Sequence, residues 1–398
     1  MTPLLRVVPA SLAQRAAGGL DVAFFGDSLD EVTRVANAVG LASRVQGDTI
    51  VINGARDDWM RMAERLRETA PAVAAALARY LHPQPAWCLR TRTLDMGRPW
   101  IMGILNLTDD SFSGDGVGRE VDGAVRRAEA LREAGATIID VGAESARADR
   151  PVMDEADEAA LVAHAVAALG REGHCVSVDT YKPAVARAAL EAGAEVVNDI
   201  SGLTLGTGAA EEAARAGAGY VLNYSYSVPK RRPDSPPLYK DVVAETVAWM
   251  GARLAELDAA GLEAANIAID PGIAFGKSHD EDIQVLRRLG ELTTLGQPLL
   301  IAHSRKNYIG SIAGQPPATR DLETHVSSAL AYAQGARIFR VHDAAGAWRA
   351  LEIAAAIVSA APGAFAPDAE SWPWRAGASA AHMTNASPDK DAPKGQRW

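Results

Sequence analysis

Polar and ionisable side chains follow short apolar runs again and again in this chain of 398 residues, and together they suggest a particular chemistry. Asp179, Asn198, Asp270 and Lys306 offer acceptors and donors suited to a flat heterocycle with several N–H and C=O edges. In a dry pocket each unpaired edge costs about 1–3 kcal/mol, so such a ring demands a matching array. Arg340, His342 and Arg147 form a separate cationic group suited to phosphates. Taken singly, any one of these residues reads as a helix cap or a turn former. Asp270 before Pro271-Gly272 fits a turn cap, and His342 fits a core histidine. Taken together they describe a pocket with one polar end for a ring and one cationic end for an anion.

These residues share one kind of position. Strand-length apolar runs occupy Trp100–Leu105, Thr137–Val141, Cys175–Val178, Glu195–Val197, Gly219–Leu222, Asn266–Ile269, Pro298–Ala302 and Arg337–Val341. Amphipathic helical patterns lie among them at Val121–Ala134, Pro183–Ala192, Val242–Ala259, Asp280–Leu289 and Ala345–Ala356. Eight short strands alternating with helices over about 260 residues predict an α/β fold, a (β/α)₈ TIM barrel, in preference to an open doubly wound sheet. Barrel chemistry sits where strands end, because the βα loops converge on one mouth. Asp140 lies one residue before its strand's end, and the expectation there is structural support.

The barrel is expected over 98–360. Residues 1–92 read as a small α/β domain with strands at Val22–Phe25 and Thr49–Ile52 and a helical pattern over Trp59–Tyr80. Residues 363–398, rich in Ala, Pro, Gly, Ser and charge, read as a disordered tail. A content of 48% hydrophobic and 23% charged residues fits a globular core and excludes wholesale disorder. A net charge of −10 argues against a nucleic-acid surface. Cys88 and Cys175 build no disulfide framework, and the other histidines lack metal-ligand spacing, so no zinc site is expected. With no signal-peptide pattern and no apolar stretch approaching about 18 residues, the chain is expected in the cytoplasm, away from membranes.

Seven ordered motifs carry a family resemblance: Ile101–Gly116 (IMGILNLTDDSFSGDG), Ile138–Arg147 (IIDVGAESAR), Val176–Thr180 (VSVDT), Val196–Asp199 (VVND), Asp270–Lys277 (DPGIAFGK), Ser304–Gly310 (SRKNYIG) and Arg340–Asp343 (RVHD). In order and spacing they resemble dihydropteroate synthases, across essentially the whole barrel. The N-terminal 90 or so residues resemble the extension of a subset of longer members. The resemblance implies condensation of 6-hydroxymethyl-7,8-dihydropterin pyrophosphate with 4-aminobenzoate, with Mg²⁺ and with release of pyrophosphate. It implies that Asn106 holds the metal and pyrophosphate, and that Asp179, Asn198, Asp270 and Lys306 pair with the pterin edges. Arg340 would stack on the ring and, with His342, bind pyrophosphate; Arg147 and Ser304 would sit near the aryl amine, with Phe275 as an apolar wall. It also implies a homodimer. The Gly- and Ser-rich segment 111–118 suits a lid.

The chain departs from the family pattern in three loops. Asp109 replaces the usual Pro; Ala146 and Ala148 replace Thr and Pro; Asn223-Tyr224-Ser225-Tyr226-Ser227 replaces a Met-His-Met run. Lys230-Arg231-Arg232 adds charge after strand five. These features raise a second enzyme reading, a paralogue using a bulkier aryl amine such as a ribofuranosylaminobenzene phosphate. A pterin-binding methyltransferase and a non-catalytic pterin-binding protein are further alternatives.

Overall fold

The computed structural model describes residues 4–8, 19–25, 29–46, 49–107, 120–144, 152–226 and 237–358. The first unit contains β1 (Leu4–Val8), β2 (Gly19–Phe25), α1 (Leu29–Ala38), β3 (Ala42–Gln46) and β4 (Thr49–Ala55). Its strands form an antiparallel sheet in the order β1-β2-β4-β3. The predicted helix over Trp59–Tyr80 is in fact two, α2 (Arg56–Leu66) and α3 (Pro71–Leu81). Pro71 explains the break: it has no N–H to extend α2, and its fixed φ suits the first turn of a new helix. Val32, Ile52, Trp59, Met62, Leu66, Val73 and Leu77 close a core of their own beneath this sheet.

A hairpin, β5 (Ala86–Cys88) with β6 (Thr93–Asp95), leads into the barrel. The barrel strands are β7 (Trp100–Asn106), β8 (Ile138–Gly142), β9 (Cys175–Asp179), β10 (Val196–Asp199), β11 (Gly219–Asn223), β12 (Ile267–Asp270), β13 (Leu300–Ile301) and β14 (Ile338–Val341). All eight pair in parallel, in the order β12-β11-β10-β9-β8-β7-β14-β13. A parallel bridge between Ile269 and Leu299 joins the two ends and closes the ring. Around it lie α4 (Val121–Glu133), α5 (Glu155–Arg171), α6 (Pro183–Glu191), α7 (Gly208–Ala216), α8 (Val242–Ala259), α9 (His279–Arg287), α10 (Asn307–Ala313), α11 (Asp321–Ala333) and α12 (Ala344–Val358). The eight predicted strands and the barrel are all present. The tail at 363–398 and the segment 111–118 lie outside the described residues.

Strand alternation explains where chemistry becomes possible. One buried residue from each barrel strand, namely Met102, Ile138, Cys175, Val196, Val221, Ala268, Leu300 and Ile338, meets Trp87, Leu89, Leu94, Met96 and Trp100 around the hairpin in a single apolar cluster. That cluster seals the floor. Side chains two residues further along point the same way. They include Asp140, Ser177, Asn198, Asn223, Asp270 and Arg340, all but Arg340 buried. Two more residues bring Asn106, Asp179, Ser304 and His342 to the rim. An apolar floor under a polar upper layer is therefore written into the strands with a period of two.

Candidate active site

Arg340 organises the upper layer. Its Nε donates to Asp140 Oδ2 at 2.5 Å and its Nη2 donates to Asp179 Oδ2 at 2.6 Å. Asn198 Nδ2 donates to the same Asp140 oxygen at 3.1 Å, while Asp140 Oδ1, fully buried, has no hydrogen-bond partner among the described residues. Four strands are thus tied together by one guanidinium and two carboxylates. Burial opposes the charge on Arg340, but Asp140 and Asp179 outweigh it and keep the guanidinium ionised. Burial pushes the Asp179 carboxyl above its ordinary range; Arg340 pulls it back, and the Asp140 charge adds to the rise. Asp140, expected mainly to support the strand, shares this layer; its spacing of two from floor residue Ile138 is the signal for it.

The opposite wall is the loop after β12. Asp270 Oδ1 accepts from the Gly272 amide at 2.8 Å, and burial raises this carboxyl above its ordinary range, with Lys306 pulling the other way. Gly272 is obligatory: its φ is +66°, and a Cβ there would lie 2.0 Å from the Tyr224 carbonyl oxygen. Lys306 Nζ donates to the Ile273 carbonyl at 2.6 Å and lies 4.8 Å from the centre of the Phe275 ring. Burial lowers Lys306 to about 8, and Asp270 opposes the drop. Lys277, which the motif contained without an assigned task, donates to the Pro271 and Gly272 carbonyls and packs 3.5 Å from the Tyr224 ring centre. It pins the turn that carries Asp270. Tyr224, where the family pattern has a Met-His-Met run, is buried against Trp249 and bonds the Tyr239 hydroxyl, so it braces this wall from behind.

The end expected to be cationic lies at the exits of β7, β13 and β14. Ser304 Oγ bonds His342 Nδ1 at 2.8 Å, and Arg127 on α4 donates to the His342 carbonyl at 3.1 Å. Ser304 thereby orients the ring, and Arg127 holds the backbone that carries it. Arg305, between Ser304 and Lys306, lines the same cavity as His342 and Arg127, held in a two-bond pair with Asp321. Asn106 Oδ1 and Asp179 flank Gly142: a Cβ on that glycine would lie 3.7 Å from the first and 3.5 Å from the Asp179 Cβ. The structure thus brings Asn106, Asp179, Asn198, Asp270, Phe275, Ser304, Lys306, Arg340 and His342 around one mouth. Arg147 and Lys230-Arg231-Arg232 lie outside the described residues. Among the described residues no helix is long and apolar enough to cross a membrane.

Residues 102–342, which build this barrel and its polar mouth, match the pterin binding enzyme family. A dihydropteroate synthase of Mycobacterium leprae is 38% identical over 268 residues, covering 66% of this chain and 94% of the relative. The crystal structure of the Yersinia pestis dihydropteroate synthase in a sulfonamide drug complex superposes with a TM-score of 0.65 at 36% identity, covering 69% of this chain and 100% of that one. That of the Thermus thermophilus enzyme in complex with 4-aminobenzoate gives 0.61 at 34% identity, covering 68% and 99%. The chain belongs to the dihydropteroate synthase family, and it is a transferase of folate biosynthesis with an additional N-terminal region.

Proposed function

We propose that the mouth joins 6-hydroxymethyl-7,8-dihydropterin pyrophosphate to 4-aminobenzoate, with the side-chain array above dividing the work. The observation that carries this reading is the linked set Asn198–Asp140–Arg340–Asp179 facing Asp270 and Lys306. Asp179, Asn198, Asp270 and Lys306 pair with the edges of the ring, and Arg340 covers its face. His342, held by Ser304, and Arg340 receive the pyrophosphate. Electron release from the pterin ring weakens the exocyclic C–O bond, which breaks as pyrophosphate departs with the electron pair. The amine nitrogen then forms the C–N bond and gives up a proton. Phe275 and the buried floor exclude water from the electron-poor carbon. Arg147 and Ser304 serve the amine and its carboxylate.

Asn106 fits Mg²⁺, because this ion takes one or two protein oxygens and fills its remaining positions with phosphate and water. Its amide oxygen lies at the rim beside Gly142 and Asp179. When bound, the ion neutralises charge on the departing pyrophosphate.

We also assign a homodimer. Leu322, Val326 and Leu330 form an exposed stripe on α11, at 71%, 56% and 66%, beside a groove of about 840 Å³ that Ile312 also lines. A patch of this kind is seldom left bare on a monomer, and a second copy of the chain would cover it. Both cysteines are free thiols, in keeping with a cytoplasmic location. The deciding experiment is pyrophosphate release with the pterin pyrophosphate and Mg²⁺, comparing 4-aminobenzoate with a ribosylated, phosphorylated amine. Release with neither amine would sink the reading.

A further inference from the structure

A single peptide group in the loop after β12 is held at both of its polar atoms. Its carbonyl, that of Ile273, accepts from Lys306 Nζ at 2.6 Å, and its N–H, that of Ala274, donates to Asp282 Oδ1 at 2.9 Å. Asp282 lies on α9 and is 1% exposed; its other carboxylate oxygen is buried without a hydrogen-bond partner among the described residues. Burial raises the carboxyl from an ordinary 3.8 to about 6, while the Ala274 amide, Lys306 and Lys277 pull it down, so it is ionised at neutral pH. Burying a charge is costly, and the chemistry above gives this one no task.

The held peptide is the centre of a tight turn. The Phe275 amide donates to the Gly272 carbonyl at 3.0 Å, which closes a β-turn over Gly272–Phe275. Ala274 has a φ of +68°, whereas Ile273 is not among the residues of positive φ. That combination is a type II turn, whose third position favours glycine because a Cβ crowds the left-handed region. A type I turn would suit alanine better. It differs by a half-turn of the central peptide, which would swing the Ile273 carbonyl away from Lys306 and the Ala274 N–H away from Asp282. Lys277 bonds the Pro271 and Gly272 carbonyls, which precede the central peptide, so it does not choose between the two turns.

We propose that Asp282 is a positioning residue: by accepting from the Ala274 amide it holds the type II turn against the preference of an alanine, and so keeps the Ile273 carbonyl where it fixes the Lys306 ammonium. This rests on the reading that Lys306 pairs with the pterin ring.

The test is calorimetry of free 6-hydroxymethylpterin on the full chain, with urea unfolding to establish that each variant folds. Asp282→Ala should weaken pterin binding about tenfold or more, because the turn relaxes and the ammonium loses its anchor. Ala274→Gly alone should keep the affinity within about twofold. Added to Asp282→Ala, it should restore most of the lost affinity, since glycine accepts the left-handed position unaided. A merely structural role for Asp282 gives no such rescue. Asp282→Asn keeps an oxygen for the amide without the charge. It should weaken binding by about two- to threefold, again recovered by Ala274→Gly, and it decides the matter if Asp282→Ala does not fold. Unchanged affinity in the folded Asp282 variants, or a loss that Ala274→Gly does not reduce, would overturn the proposal. Lys306→Met separates the two layers. If it leaves pterin affinity unchanged, the role given to Lys306 fails by itself. If it weakens binding while the Asp282 variants do not, the positioning proposal fails.

Discussion

Arg340 and Asp179, 161 residues apart in the chain, meet across the barrel mouth through a 2.6 Å hydrogen bond from Nη2 to Oδ2. Asp140 accepts from the Nε of the same guanidinium. The guanidinium is therefore gripped along its edge by two carboxylates.

Asp140→Asn tests that grip. The substitution keeps size and removes charge, at a cost of about 1.5–3 kcal/mol for a hydrogen bond to a charged group. Urea unfolding should show this loss of stability, and pterin affinity should fall with it. If both stay at wild-type values, Asp140 does not set the position of Arg340.

Asp270→Asn should weaken pterin binding about tenfold or more, because an amide replaces a carboxylate facing the ring's N–H groups. Calorimetry with free pterin reads this directly. Unchanged affinity in a folded variant removes Asp270 from the pterin contacts.

For Asn106→Ala, binding of the pyrophosphate substrate with Mg²⁺ should suffer far more than binding of free pterin. Equal losses for the two ligands would mean that Asn106 merely shapes the rim.

His303 gives a prediction on pH. Burial lowers it from an ordinary 6.5 to about 4, although the Thr324 carbonyl 3.2 Å from Nε2 favours the charged form. Between those values the unfolded chain binds the proton and the folded chain does not, so His303 makes the fold lose stability as pH falls from about 6.5 to about 4. His303→Leu removes this contribution. The difference in stability between wild type and variant should shift toward the variant across that window, as measured by urea unfolding at several pH values. A constant difference refutes the assignment.

The basic run Lys230-Arg231-Arg232 bears on the nucleophile. If it faces the mouth, replacing all three with Gln should reduce use of a phosphorylated aryl amine at low salt, at about 1 kcal/mol for each partly screened contact, and leave 4-aminobenzoate turnover nearly untouched. Good turnover of 4-aminobenzoate with no use of the phosphorylated amine would make the run a solvated loop.

Much of this molecule was legible before any coordinates. Strand alternation and the clustering of polar residues at strand ends are local patterns, and they point to eight strands and to Asp179, Asn198, Asp270, Lys306, Arg340 and His342; Asn106, Ser304 and Phe275 enter through the family resemblance. The sheet and core around β1–β4 were only partly legible, and the break at Pro71 was overlooked although proline marks it. Other features are not local at all. Asp140 looks like strand support until barrel closure brings it to an arginine 200 residues away. Lys277 is one lysine in a motif until the turn after β12 folds its carbonyls over the ammonium. Lys182, Glu144 and Glu158 are apart in the chain, and packing buries them together. The sequence by itself determined which side chains face inward, because that depends only on the period of a strand. Only the tertiary structure decided which of them touch, because curvature and register bring distant strand ends within hydrogen-bonding distance.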